Sequence, residues 1–230
     1  MVRSSGPFRT WAFGLESTRV MRGLSTPSAL MIAPQLFKLS GDFTRPKYDP
    51  DGAKKLLAEA GYADGFEVTM DCPNDRYVND AAICQAVVGM LARVGVKINL
   101  LAQPKALYFA KVLKAGGFQT SFYMLGWTPG TLDAHNVLYD IMGCRDDRRG
   151  NNNLGNYCNK DLDAITDKVL QETDTAKRDQ LIKSAFEIGV KDWGYIPLHQ
   201  QALAWGVSKK VKLVQRPDNQ VLLYWATKQE

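Results

Sequence analysis

Between residues 49 and 125 the hydrophobic pattern of this chain switches repeatedly between a helical period and a strand period, with glycines at the changes. Asp49 is followed by Pro50, a capping residue before a proline whose fixed backbone angle suits the first helical position. Ala53, Leu56, Leu57 and Ala60 then recur at helical spacing, and Gly61 can end the helix in a left-handed conformation. Residues 66–70 alternate as a strand. Residues 78–94 place Ile83, Val87, Met90, Leu91 and Val94 on one helical face before Gly95. Residues 96–101 read as a second strand, 107–114 as a helix ended by Gly116 and Gly117, and 119–125 as a third strand. Strands alternating with helices point to an α/β fold built on a helix-covered, largely parallel sheet, in which ligands bind beyond the carboxyl ends of the strands.

The flanking segments differ in character. Residues 1–47 are rich in Pro, Ser and Gly and read as irregular connection. After a helix expected over residues 134–142, two more are expected, at 159–171 with Leu162, Ile165 and Val169 and at 174–191 with Leu181, Ile182, Ala185 and Phe186. The last segment reads as strands at 195–207, 211–214 and 221–226, and no internal repeat is visible.

Composition narrows the function classes. With 45% hydrophobic residues the chain can bury a core. Its net charge of +5 comes from scattered lysines and arginines with short clusters at 145–149 and 208–212, not the stripe that a nucleic-acid partner requires, so none is expected. No run reaches the roughly 18 to 20 apolar residues that span a bilayer, and the basic start of the chain is not followed by an apolar signal core. His135 and His199 have no second ligand at metal spacing, so neither a metal nor a cofactor is expected. A phosphate-binding glycine loop, a nucleophile elbow and a Cys/His motif are lacking, and no enzymatic activity is expected.

Four cysteines are too few for a disulfide scaffold. Cys84, on the apolar side of its helix, reads as a buried free thiol. Cys144 and Cys158 flank a polar loop that a disulfide would close in an oxidising compartment and that is open otherwise. The carboxylates Asp146 and Asp147 in that loop read as local ion pairs.

Two loops carry the chemistry. Residues 74–77 expose a cation, Arg76, beside Tyr77; residues 126–136 bring Trp127, Asp133 and Asn136 after the third strand. An arginine fork suits a carboxylate through two parallel charge-assisted bonds, and an aspartate suits an ammonium group. Each residue also has a structural reading. Arg76 can be a solvated arginine bridging Asp75 or Asp80, Asp133 the N-cap of the helix after it, and Trp127 a packed core residue.

The run Tyr48-Asp49-Pro50 through Ala60-Gly61-Tyr62 to Gly65-Phe66 resembles the dipeptide, oligopeptide and nickel type (family 5) of solute-binding proteins that serve ABC importers. Asn74-Asp75-Arg76-Tyr77, Val94-Gly95-Val96-Lys97, Gly126-Trp127, Gly155-Asn156-Tyr157-Cys158-Asn159, Ile196-Pro197-Leu198-His199-Gln200 and Asp218-Asn219-Gln220 follow in that family's order. Upstream, Val20-Met21-Arg22-Gly23-Leu24 and Ala33-Pro34 fit the same pattern. The resemblance implies a periplasmic-binding-protein-like lobe with a helix-covered mixed sheet, the C-terminal lobe only, with the N-terminal lobe absent. It divides the chain into a non-family segment 1–18, a ligand-binding lobe 19–195 and a strand-rich tail 196–230 that in the family returns to the other lobe. It further implies capture of a small peptide or other zwitterion by Arg76, Tyr77, Trp127, Asp133 and Asn136, a Cys144–Cys158 bridge, delivery to an ABC permease, and a periplasmic location. No signal peptide is read in the chain, which leaves the cytoplasm as the other expectation. The alternatives to capture are an interaction module, whose exposed interlobe face and tail bind its own copy or an N-terminal-lobe chain, and a fragment without function.

Overall fold

The computed structural model describes residues 20–229. The proposed non-family segment 1–18 lies outside them. Strand β1 (Ser25–Pro27) and two short 3-10 turns precede helix α1 (Pro50–Glu59). Asp49 caps α1 as its sequence requires, Oδ1 accepting the Gly52 N–H at 2.8 Å.

The centre of the fold is a parallel pair. Strand β2 (Phe66–Pro73) runs in register with β3 (Val96–Gln103), from Phe66 opposite Val96 to Pro73 opposite Gln103. Helix α2 (Asp80–Ala92) joins them, as a parallel connection demands. Gly65, at φ +78°, permits the close approach at the entry of the pair, where a Cβ would lie 1.8 Å from the Gly95 carbonyl oxygen. Helix α3 (Lys105–Val112) follows β3.

The third strand expected over residues 119–125 shrinks to one parallel bridge, Asp71 to Tyr123, made by Asp71 N–H to Phe122 O (2.9 Å) and Met124 N–H to Asp71 O (3.0 Å). It aligns with only the last part of β2, because the chain arrives there from a tight turn in which Gly117 and Phe118 both have positive φ. A helical turn, α4 (Ala134–Asn136), continues directly into a wider helical segment, Val137–Ile141, closed by an i→i+5 bond from Met142 N–H to Val137 O. Helices α5 (Lys160–Gln171) and α6 (Thr175–Asp192) pack on one another.

Two main apolar clusters result. One gathers Leu57, Met70, Ile83, Val87, Leu91 and Val96 between the parallel pair, α1 and α2. The other gathers Leu30, Phe37, Leu138, Leu162, Ile182 and Phe186 around α5 and α6. No described helix is long and apolar enough to cross a membrane.

The tail holds less strand than its sequence suggests. Residues 195–207 contribute only β4 (His199–Gln201), antiparallel to β1; β5 (Val211–Lys212) pairs with β6 (Thr227–Lys228). Residues 221–226 form no strand and instead contain a 3-10 turn at Leu223–Trp225. A strand needs a partner for its backbone groups, and these short pairs join no wider sheet among the described residues. Leu223 and Tyr224 each remain 78% exposed.

The cysteines also differ from expectation. Cys84 is no free thiol: it is bonded to Cys72 at the end of β2, with both residues fully buried. The Cα atoms stand 6.6 Å apart, since β2 and the first turns of α2 lie face to face. Cys144 and Cys158 form the second disulfide, with Cα atoms 4.4 Å apart.

Candidate functional site

Both candidate loops leave carboxyl ends of the parallel unit. The first, residues 74–79, follows β2 and is held from beneath. The carboxylate of Asp80, 3% exposed, accepts the N–H groups of Arg76 (2.8 Å) and Tyr77 (3.0 Å) through Oδ2, and that of Ala81 (2.9 Å) through Oδ1. The sequence suggested Asp80 as a salt-bridge partner of Arg76; what Asp80 holds instead is the Arg76 backbone. Asn79, at φ +58°, donates its amide to the Val20 carbonyl (3.1 Å), and Val78 N–H reaches Gln201 Oε1 of β4 (3.3 Å). Asp75 Oδ1 accepts the Lys105 N–H at the start of α3 (2.6 Å). The Cys72–Cys84 disulfide encloses the whole loop.

These contacts fix the Arg76 backbone and leave its side chain in solvent. The guanidinium lies 4.9 Å from the centroid of the Tyr77 ring and makes no hydrogen bond or ion pair among the described residues. Tyr77 turns inward: its hydroxyl donates to the Gly126 carbonyl (3.2 Å), and burial raises its pKa above the ordinary tyrosine value. A Cβ on Gly126 would sit 2.6 Å from the Tyr77 ring, so the glycine is what lets the two loops touch.

On the second loop the side chains bond to one another. Trp127 Nε1–H donates to Asn136 Oδ1 (2.8 Å), and Asn136 Nδ2–H donates to Asp140 Oδ2 (2.8 Å). Trp127 packs by its ring against the α5–α6 cluster. Asp133 Oδ1 accepts the His135 N–H (2.7 Å), capping α4, and also accepts from Arg178 Nη2 of α6 (2.9 Å). Burial works to raise the Asp133 pKa, but the Arg178 and His135 hydrogen bonds and the Arg178 charge outweigh it and hold the carboxyl below its ordinary value. His135 Nε2 is buried without a hydrogen-bond partner among the described residues, and burial lowers the His135 pKa.

The structure thus joins Arg76, Tyr77, Gly126, Trp127 and Asn136 along one contact path, with Asp133 at its far end facing Arg178. None of the five candidate residues lines the apolar cleft between residues 28–31, 44–46, α6 and residues 195–197. Asp80, Asn79, Gly126, Arg178 and Gln201 support the loops and were not singled out from sequence as such. Only Asp80 offered a signal, as an acid just before an apolar helical run. Among the described residues no group of His, Cys, Asp and Glu is arranged to hold a metal ion.

The 144–158 disulfide loop is separately organised. Fully buried Asn153 donates to the Gly143 (2.8 Å) and Tyr157 (2.6 Å) carbonyls. Arg149, 6% exposed, is neutralised by Asp167 (2.8 Å), with Asp146 (3.4 Å) and Asp163 (3.6 Å) nearby, so Asp146 is a local ion pair.

The parallel α/β unit carries an exposed cation beyond its strand ends, and the comparisons name its family. The family model described as "Bacterial extracellular solute-binding proteins, family 5 Middle" matches residues 17–148, and the chain belongs to this family. Its members are binding proteins, not enzymes. Heme-binding protein A of Haemophilus influenzae is 28% identical over 207 residues, covering 86% of this chain and 36% of that protein. Glutathione-binding protein GsiB of Salmonella typhimurium is 28% identical over 191 residues, covering 82% of this chain and 37% of that protein. Among solved structures, the periplasmic binding protein DppA from Helicobacter pylori, in complex with the peptide STSA, superposes with a TM-score of 0.80 at 18% identity, over 97% of this chain and 43% of that one. The chain therefore spans a little over a third of the curated relatives it matches.

Proposed function

We propose that this chain is a solute-capturing lobe of an ABC importer's binding protein and holds a peptide-type solute by its carboxylate, without catalysing a reaction. The observation that carries the reading is Arg76, an exposed and uncommitted guanidinium on a loop whose backbone is fixed by Asp80 and enclosed by a disulfide. A positioned fork loses little freedom on binding, so its two charge-assisted bonds are not spent on ordering the loop. Tyr77, Trp127 and Asn136 supply the wall beside it; Asp133 supports that wall as the α4 cap. Residues 19–195 serve as the lobe and residues 196–230 as the tail, and delivery is to a membrane permease. The paired cysteines support an oxidising, extracytoplasmic location. Calorimetric titration of the 230-residue chain with mixed dipeptides tests the reading: binding lost in Arg76→Ala supports it, and no binding at about 1 mM ligand rejects it.

A second reading rests on the tail, where Val211, Val214, Val221, Leu223, Tyr224 and Trp225 are exposed. Exposed apolar residues of this kind are covered by protein in many assemblies, here by a second copy of the chain. Light scattering decides it, since a monomer at high concentration contradicts self-association.

A further inference from the structure

We infer that the two loops select a ligand by its carboxylate and leave its amino group unrecognised, so that N-acylated peptides and other amine-free carboxylates bind as well as free peptides. The inference rests on the reading of Arg76 given above and specifies which solutes that site accepts.

The carboxylates within and beside the loops are already engaged. Asp133 bonds to the Arg178 guanidinium and to the first turn of α4. The pair has no net charge and so offers an ammonium group little electrostatic attraction. The Asp133 carboxylate stands beside a guanidinium that a more strongly hydrated ammonium would have to displace or share. Asp71, 2% exposed, is neutralised by Lys111 Nζ at 2.6 Å. Asp80 is buried under backbone N–H groups and Asp140 accepts from the Asn136 amide, while exposed Asp75 is turned to the start of α3, where its Oδ1 accepts the Lys105 N–H. Against these, the Arg76 guanidinium lies over the Tyr77 ring and makes no hydrogen bond or ion pair among the described residues. The loops therefore offer an unpaired guanidinium, while the carboxylate at the wall beside it, Asp133, is already paired with Arg178.

Three probes decide it on the full 230-residue chain by calorimetry: Ala-Leu, N-acetyl-Ala-Leu and Ala-Leu amide. N-acetylation is expected to change the Kd by less than about threefold, and amidation to weaken binding by about tenfold or more. Arg178→Met removes the cation that occupies Asp133 and is expected to create a preference for the free amine of about threefold or more. A loss of about tenfold on N-acetylation in the unaltered chain overturns the inference while leaving Arg76 capture intact. Failure of all three probes to bind, or amide binding as tight as the acid, overturns both.

Discussion

Asp80 holds Arg76 by its backbone and not by its charge: a carboxylate 3% exposed accepts the Arg76 N–H at 2.8 Å, and the guanidinium is left to solvent. Removing that carboxylate strands the Arg76, Tyr77 and Ala81 donors around a buried position. Asp80→Ala is expected to destabilise the chain by about 1–3 kcal/mol in chemical denaturation. Asp80→Asn, which keeps one acceptor oxygen, is expected to cost less and to weaken ligand binding less than Asp80→Ala.

The Cys72–Cys84 disulfide closes the segment that contains both Asp80 and Arg76. Cross-linking so short a segment restricts the unfolded chain, and a Cys72→Ala/Cys84→Ala double variant is expected to lose about 2–4 kcal/mol. Thiol titration of the denatured, unreduced chain is expected to find no free thiol; two reactive thiols mapping to Cys72 and Cys84 would remove this bridge from the account.

What was legible in the sequence follows from how local each signal is. The α1 ends were readable because Asp49, Pro50 and Gly61 act through their own backbone. The β2–α2–β3 unit was readable because the periods differ and each element buries one face. The strand expected over residues 119–125 is reduced to one bridge, since its apolar pattern says nothing of how much of β2 is open to pair beyond Asp71. The tail strands failed for a similar reason: Val221 and Leu223 have strand-like neighbours in sequence and no sheet beside them. The Cys72–Cys84 bond is not legible in the sequence because a spacing of 12 residues carries no disulfide signature, and only the packing of α2 on β2 brings the two together. At the candidate site the loops were visible as loops, but the engagement of Asp133 by Arg178, 45 residues away, is a tertiary fact.

Gly126 is the contact point between the loops, and a methyl group there would lie 2.6 Å from the Tyr77 ring. Gly126→Ala is therefore expected to displace Tyr77 and to cost about 1–3 kcal/mol by overpacking. The Tyr77 ring signals in an NMR spectrum report the displacement directly, and unchanged shifts would contradict it.

Asp133 gives the chain a defined acid response. Its folded pKa is depressed, so the stabilisation it provides is fully present above the unfolded value of about 3.9 and is lost as pH falls through the lower folded value. Thermal unfolding between about pH 5 and pH 2 is expected to show a steeper fall in Tm for the unaltered chain than for Asp133→Asn. Equal slopes would mean that the Arg178 pair contributes nothing to the folded state.

The central claim is that Arg76 captures a carboxylate, and its most direct measurement is calorimetric titration of Ala-Leu into the unaltered chain and into Arg76→Ala, with thermal unfolding of both run in parallel. The account predicts a Kd weakened by about tenfold or more in the variant with Tm nearly unchanged, because no described residue depends on the guanidinium for a hydrogen bond. Equal affinity in the two proteins, or no measurable binding in either, would contradict it.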